Sequence, residues 1–217
     1  MKVRGLLIAN ILIAGAMALF GVWVAADLGA DAQLPIHWNV AGEPDGFARA
    51  HTALLWPAGV SLLSGLLMAA IPRMEPLQDR LEASAPLLRS AWIGTMLLMV
   101  YVQIMIAAPA LGWNLGPNLL LVGVGALLVM LGNNLPKSRP GFFVGIRTPW
   151  TLSDTDNWIA THRLGGKVMM SGGAVMILAA LAPVSAELRT GIMLGLILAV
   201  AAIPIAYSWW LWRRTAG

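Results

Sequence analysis

The residues best suited to chemistry lie in one polar stretch, 132–166, of a chain that is otherwise strongly apolar. Arg147 stands beside a Thr-Pro-Trp turn and Arg163 follows a histidine, so both lie among rigid or aromatic neighbours. Guanidinium and ammonium groups bind phosphates and carboxylates through charge-assisted hydrogen bonds. The candidates for such a site are Lys137, Arg139, Arg147, Thr148, Trp150, Trp158, His162 and Arg163. The alternative is that the basic residues only contact lipid headgroups, which we favour for Lys137 and Arg139.

The second half of this stretch has the pattern of a helix start. Ser153 precedes two acids, and serine caps and early acids stabilise a helix N-terminus. We therefore predict a helix that is capped by Ser153, runs to Leu164 and stops at the glycine pair 165–166. Its spacing places Trp158, Thr161 and His162 on one face.

A second polar stretch, 27–52, is acidic. The turn residues in 42–46 (Gly-Glu-Pro-Asp-Gly) predict two short extended segments on either side. Ligating side chains are present, but their spacing matches no zinc pattern, so we predict a hydrogen-bonded loop without metal or cofactor. The binding candidates here are Asp31, His37, Trp38, Asn39, Glu43, Asp45 and Arg49.

Composition indicates which elements must position these stretches. Hydrophobic residues make up 59% of the chain and charged residues 11%, and mean hydropathy is +0.76. A membrane span needs about 20 apolar residues, and uninterrupted apolar runs predict helices. The six apolar windows are Gly5–Ala26, Ala53–Ile71, Ser90–Leu111, Pro117–Leu131, Val168–Pro183 and Thr190–Trp212. The fourth and fifth windows are shorter than a span requires, so each of these helices must include about one further turn of the flanking polar residues.

We therefore predict an all-α membrane protein with six transmembrane helices in a single domain, 1–217. Its N-terminal part, 1–72, carries a large external loop (27–52), and its C-terminal part, 73–217, carries a large cytoplasmic loop (132–166). The first window is too long for a signal-peptide core, so we expect a retained helix.

The basic residues predict the orientation. With both termini in the cytoplasm, only Arg49 and Arg189 of the 14 Lys and Arg residues lie outside. We therefore expect the chain to cross a membrane several times, with membrane lipids as partners and no direct contact with nucleic acid. Tryptophans near the expected helix ends predict aromatic belts: Trp56, Trp92, Trp113, Trp209, Trp210 and Trp212.

The apolar windows hold no deep ionisable residue, which argues against a proton-coupled pump. Gln103 is the deepest polar candidate that we identify, and one interhelical hydrogen bond accounts for it. Gly191 and Gly195 form a GxxxG motif that predicts close helix packing.

Three motifs carry a resemblance to a known family. Pro136-Lys-x-Arg-Pro140, Gly145-Ile-Arg-Thr-Pro-Trp-Thr-Leu152 and Trp158-x-x-Thr-His-Arg-Leu-Gly-Gly166 resemble the signature of the SdpI family of bacterial membrane proteins. The Pro35-x-His-Trp-Asn-x-x-Gly-x-Pro-Asp45 stretch is similar to the domain of unknown function that usually precedes it. The resemblance implies an immunity or receptor protein without catalysis, located in the bacterial cytoplasmic (inner) membrane. Its partners would be a secreted, membrane-active peptide toxin and a cytoplasmic winged-helix repressor captured at the membrane.

Two other functions remain open at this point. An enzyme or carrier for a lipid-linked phosphate would use His162, whose ordinary pKa of about 6.5 suits acid–base work. A passive transporter is weaker, because intramembrane polar residues are scarce.

Overall fold

Six long helices form the protein, and each is long and apolar enough to cross a membrane. The structure, a computed structural model, describes residues 2–29, 31–39 and 43–215. The helices are α1 (Arg4–Leu28), α2 (Ala50–Met74), α3 (Gln78–Ala83), α4 (Ala85–Ala107), α5 (Leu120–Asn134), α6 (Pro149–Ser153), α7 (Thr155–Leu181) and α8 (Ala186–Thr215). Helices α3 and α6 are short, and 3-10 turns extend α5 so that the fourth span covers Pro117–Lys137. The prediction of six apolar helices is confirmed.

The long helices pack mostly in chain order, α1 on α2, then α4, α5, α7 and α8. A buried apolar cluster joins α1, α2, α4 and the first strand at one end of the bundle. We call this the hairpin end, because the chain between α1 and α2 folds there into a β-hairpin of β1 (Gln33–Trp38) and β2 (Pro44–Arg49). The two extended segments predicted around the turn are thereby confirmed, while Gly42 lies outside the described residues. We call the opposite end of the bundle, where α7 begins, the loop end.

Two buried amides join the first half of the bundle. The Nε2 of Gln103 donates to the carbonyls of Met17 and Leu54 at 2.8 and 2.7 Å, so one side chain of α4 holds α1 and α2. Asn10 was missed as a polar candidate: its Oδ1 accepts from the indole Nε1 of Trp92 at 2.7 Å. Trp92 is 1% exposed, so its expected place in an aromatic belt is wrong. An indole N–H in an apolar interior requires a hydrogen-bond acceptor, and Asn10 provides it.

Glycines bring α5 and α7 into backbone contact. A Cβ on Gly125 would lie 2.7 Å from the carbonyl oxygen of Gly173, and one on Gly132 would lie 2.7 Å from that of Gly166. Both pairs are seven residues apart on their helices, which is two turns. The GxxxG prediction on α8 is wrong for contacts within the chain, because a Cβ at either glycine would meet no described atom within 4 Å.

The polar stretch 132–166 contains much less loop than the sequence suggested. Helix α7 begins at Thr155 and runs through the glycine pair 165–166 without interruption, because both glycines pack against neighbouring elements. Its N-cap is Asp154, whose side chain accepts from the N–H of Asp156 at 2.8 Å, so the prediction of Ser153 as cap is wrong. Ser153 instead ends α6. The remaining non-helical segment, residues 138–148, is called the capped loop below.

Candidate functional site

The capped loop ends in a threonine box at the start of α6. The N–H of Thr151 donates to Thr148 Oγ1 at 3.1 Å, and the N–H of Thr148 donates to Thr151 Oγ1 at 2.9 Å. Pro149 occupies the first helical turn, where its missing N–H costs nothing. These local choices fix the direction in which the chain leaves the loop.

Trp158 and His162 form the buried support of the loop. Their rings stack at 4.0 Å between centroids with 17° between the planes, and both side chains have 0% exposure. This confirms that the two residues share one face of α7. The ring nitrogens of His162 contact the Trp158 carbonyl (Nδ1, 2.7 Å) and the Ile146 N–H (Nε2, 2.8 Å). Because Nε2 accepts, Nδ1 carries the proton of a neutral ring.

This arrangement limits what His162 can do chemically. A general acid or base must reach the proton that it transfers, directly or through one water. In the structure described, both ring nitrogens already have backbone partners and the side chain has no exposed surface. His162 therefore orients the capped loop, and the lipid-phosphate enzyme considered above loses its acid–base group.

Gly145 allows the loop to approach this pair of rings. Its φ is 118°, which favours glycine. A Cβ at this position would lie 2.6 Å from His162 Nε2 and 2.6 Å from the Trp158 ring. The glycine of the Gly-Ile-Arg-Thr-Pro-Trp motif is thus required both by conformation and by space.

Helix α8 holds the other side of the capped loop. The hydroxyls of Thr148 and Ser208 lie 3.1 Å apart, and the Nδ2 of Asn157 donates to the Ser208 carbonyl at 2.8 Å. Asn157 Oδ1 in turn accepts from the hydroxyl of Thr161 at 3.0 Å. The loop, the start of α7 and the end of α8 therefore share one buried polar network.

Glu75, at the end of α2, was not singled out from the sequence. It is 3% exposed, and its carboxylate accepts backbone N–H bonds from Leu77 (3.2 Å), Phe142 (2.9 Å) and Phe143 (3.2 Å). A buried carboxylate needs such donors to offset its desolvation. Its position directly after an apolar window, where the second helix is expected to leave the membrane, is the signal that could have identified it. Glu75 thereby joins the end of α2 to the capped loop.

The remaining candidates of the loop end lie around the buried Trp158–His162 pair and do not line one common pocket. Arg147 donates to the Phe142 carbonyl, Lys137 Nζ donates to Asn134 Oδ1 at 2.9 Å, and Arg139 donates to the Ser138 carbonyl at 3.2 Å. The Trp150 ring lies 6.2 Å from that of Trp212 on α8. Arg163 is exposed and lines a different groove, with Lys167.

At the hairpin end, the acidic candidates make their contacts within the hairpin itself. His37 Nδ1 lies 2.5 Å from Asp45 Oδ1, and the Asn39 Nδ2 donates to Glu43 Oε2 at 3.2 Å. Both residues of the His37–Asp45 pair are well exposed, so the pair adds little stability. Asp31 and Arg49 are exposed. Across the described ranges, no three His, Cys, Asp or Glu side chains converge as metal ligands.

A cleft of about 490 Å³ separates the hairpin from the starts of α5 and α8. His37, Trp38 and Asn39 line one wall, and Arg189 and Met193 line another. Arg189 holds the end of α7, since its Nε donates to the Ala179 carbonyl at 3.1 Å. The cleft thus combines apolar walls with a guanidinium group and an imidazole.

Apolar helices, a hairpin at one end and a hydrogen-bonded loop at the other define a multi-pass helical membrane protein. Residues 137–208 match the model of the SdpI/YfhL protein family, and residues 12–60 match the domain of unknown function DUF1648. The resemblance seen in the sequence is confirmed, because the two models match this chain in the expected order.

A curated relative is the Immunity protein SdpI of Bacillus subtilis (strain 168), which is 30% identical over 124 residues. The match covers 56% of this chain and 59% of that protein, so less than two thirds of the relative is spanned. The comparison with solved structures found no match.

Proposed function

We propose that this protein is an immunity protein of the bacterial cytoplasmic membrane, which protects the cell from a membrane-active peptide toxin without catalysing a reaction. The similarity to an immunity protein over more than half of the chain carries the proposal. The engagement of both His162 nitrogens supports a binding role over an acid–base role. In this proposal the hairpin end faces outward and the loop end faces the cytoplasm, as the basic residues predict.

The outer cleft is the proposed toxin-binding surface. Its walls offer Ile36, Trp38 and Met193 to the apolar face of an amphipathic peptide, and Arg189 to an acidic group. Pockets of this kind combine apolar area with a few placed polar groups. Trp38 is the proposed anchor, because aromatic residues at the centre of an interface contribute most of the binding free energy.

Helix α8 is the proposed connection between the two faces. Its first turns line the outer cleft, and Ser208 near its other end contacts the capped loop. At about 1.5 Å per residue, Arg189 and Ser208 lie about 28 Å apart along the helix. Pro204 interrupts the backbone hydrogen bonding of α8 just before Ser208, which provides a place for bending. A toxin that binds one position of α8 more tightly than another would shift the equilibrium between these positions, and the capped loop would follow. The size of this shift is set by the difference between the two binding free energies.

The inner surface proposed to capture a cytoplasmic repressor surrounds Arg147. Arg147 is exposed, and Phe142 beside it is 56% exposed. An arginine next to exposed aromatic surface is the composition enriched at protein interfaces. Thr148 and Trp158 support this surface from below.

Survival of toxin-sensitive cells tests the immunity role. Cells expressing the protein are expected to survive a toxin dose that kills cells without it. Trp38→Ala should lower the tolerated dose by about tenfold or more, the scale of an aromatic anchor. Trp113→Ala is the matched control, because Trp113 is exposed near the same end but does not line the cleft. Killing that is unchanged by the protein for every candidate toxin would refute the immunity role.

A second measurement separates immunity from signalling. Arg147→Ala should abolish membrane recruitment of a fluorescent repressor while leaving toxin survival unchanged. Arg73→Ala, which removes an exposed charge from the end of α2, should affect neither. Equal recruitment by wild type and Arg147→Ala would refute the assignment of the inner surface.

A further inference from the structure

A second site, independent of the proposed function, lies where α5 and α7 meet at the loop end. The Gly132–Gly166 contact brings the helix backbones together, and beside it opens a groove of about 230 Å³. Arg163 and Lys167 line one side and Asn133 lines the other, while Met170 forms its apolar end. We call this the basic groove.

Among the residues that the structure describes, the two cations of the basic groove have no acidic partner. Arg163 and Lys167 are four residues apart, so they project from the same face of α7 and repel each other. The sole ion pair within the described part of the chain joins His37 and Asp45, at the opposite end of the bundle. Both cations are exposed. An anion between them would remove the repulsion.

The depth of these cations restricts what that anion can be. From Leu181, the last residue of α7, Lys167 lies about 21 Å and Arg163 about 27 Å along the helix, at about 1.5 Å per residue. The hydrocarbon layer is about 30 Å thick. With Leu181 at its outer boundary, both side chains leave the helix at or just inside the inner boundary. Long basic side chains in this position extend toward the phosphates of the nearest leaflet.

The neighbouring span has the same shortage of apolar length. The apolar window of α5, Pro117–Leu131, is one of the two short windows in the sequence, and that of α7 is the other. The two helices pack against each other, so the polar turns that extend their apolar windows meet at the basic groove. Polar surface is thereby concentrated at the depth of the lipid phosphates.

The geometry points to the basic groove as a binding site for one anionic phospholipid. The guanidinium of Arg163, the ammonium of Lys167 and the amide of Asn133 bind the headgroup phosphodiester, and the acyl chains pass along Met170. Free phosphate shares the charge and the oxygen acceptors, but it gains nothing from the apolar end of the groove. The ligand is therefore assigned as lipid.

Native mass spectrometry of the purified full-length protein with phosphatidylglycerol tests this site. The wild type should retain one tightly bound phosphatidylglycerol, and phosphatidylcholine should not replace it. The double variant Arg163→Gln/Lys167→Gln should bind phosphatidylglycerol roughly 30-fold more weakly, which corresponds to about 2 kcal/mol at about 1 kcal/mol per basic residue. The charge-retaining double variant Arg163→Lys/Lys167→Arg should bind nearly as well as the wild type.

Arg89→Gln is the matched control, because Arg89 is an exposed cation of α4 that does not line the groove. It should leave phosphatidylglycerol binding unchanged. Thermal unfolding in detergent provides a second readout: phosphatidylglycerol should raise the Tm of the wild type and of Arg89→Gln, but not of the glutamine double variant. Equal lipid binding by wild type and the glutamine double variant would overturn the site. An equal Tm increase with inorganic phosphate or glycerol phosphate alone would overturn the assignment to lipid.

Discussion

Replacing Gly145 by alanine tests how the capped loop closes on its buried support. The φ of Gly145 is 118°, and a side chain held in such a sparsely populated backbone region costs about 1–3 kcal/mol. The new Cβ would also lie 2.6 Å from both His162 Nε2 and the Trp158 ring. Neither ring has free space in which to move, since both are fully buried.

Overpacking of this kind typically costs about 1–3 kcal/mol. Displacing His162 would also break the hydrogen bond that Nε2 accepts from Ile146. The expected loss of unfolding free energy for Gly145→Ala is therefore about 2–6 kcal/mol. Gly141→Ala is the matched control in the same loop: its Cβ would meet the nearest atom, Glu75 Oε2, at an ordinary 3.5 Å, and its φ is not positive.

Unfolding of the purified protein by denaturant, followed by tryptophan fluorescence, measures both variants. The unfolding free energy of Gly141→Ala should lie within about 1 kcal/mol of that of the wild type. Alanine also restricts the unfolded chain, and this effect alone would stabilise the protein slightly. The summed tryptophan emission of folded Gly145→Ala should be red-shifted relative to the wild type, because water reaches the displaced Trp158 ring. The description of the loop closure is wrong if the unfolding free energies of the two alanine variants differ by less than about 0.5 kcal/mol, which is the usual scale of a neutral surface substitution.

Three further predictions concern buried polar contacts. Gln103→Leu should lower the unfolding free energy by about 1 kcal/mol, because membrane-buried hydrogen bonds contribute about 0.6–1.7 kcal/mol; a loss above 4 kcal/mol would contradict this. Asn10→Ala should cost about 1–3 kcal/mol by leaving the Trp92 indole N–H without its acceptor, and Trp92→Phe should recover part of that loss in a double-mutant cycle, whereas additive effects would exclude the coupling. Thr148→Val should cost about 0.5–2 kcal/mol through loss of the cap, and Thr148→Ser should restore it; equal stability of the valine and serine variants would argue against the cap.

The sequence predicted the six helices because apolar length is a local property that the bilayer imposes directly. The hairpin was predictable for a similar reason, since proline and glycine in 42–46 act on their own backbone. Tertiary contacts were not predictable in this way. Gly191 and Gly195 carry the better-known packing motif, yet the glycines in backbone contact are those of α5 and α7.

The same distinction explains the errors at the site. The glycine pair 165–166 has low helix propensity, so a helix end was expected there. Its packing against Gly132 and Leu135 outweighs that propensity. Likewise, the acidic character of Glu75 is visible in the sequence, but its three N–H donors come from its own loop and from residues 142–143, more than sixty residues away.

The polar atoms buried within the bundle are committed to contacts between its helices. Asn10 and Gln103 both have partners on neighbouring helices, and no buried side-chain nitrogen or oxygen in the described ranges is without one. A transport path needs polar groups that can exchange their partners for a passing solute. Polar groups committed to interhelical hydrogen bonds hold the helices in place instead. Under the proposed function, a ligand would act from the hairpin end or the loop end. Helix α8 would connect the two ends, because it lines the outer cleft and also contacts the capped loop.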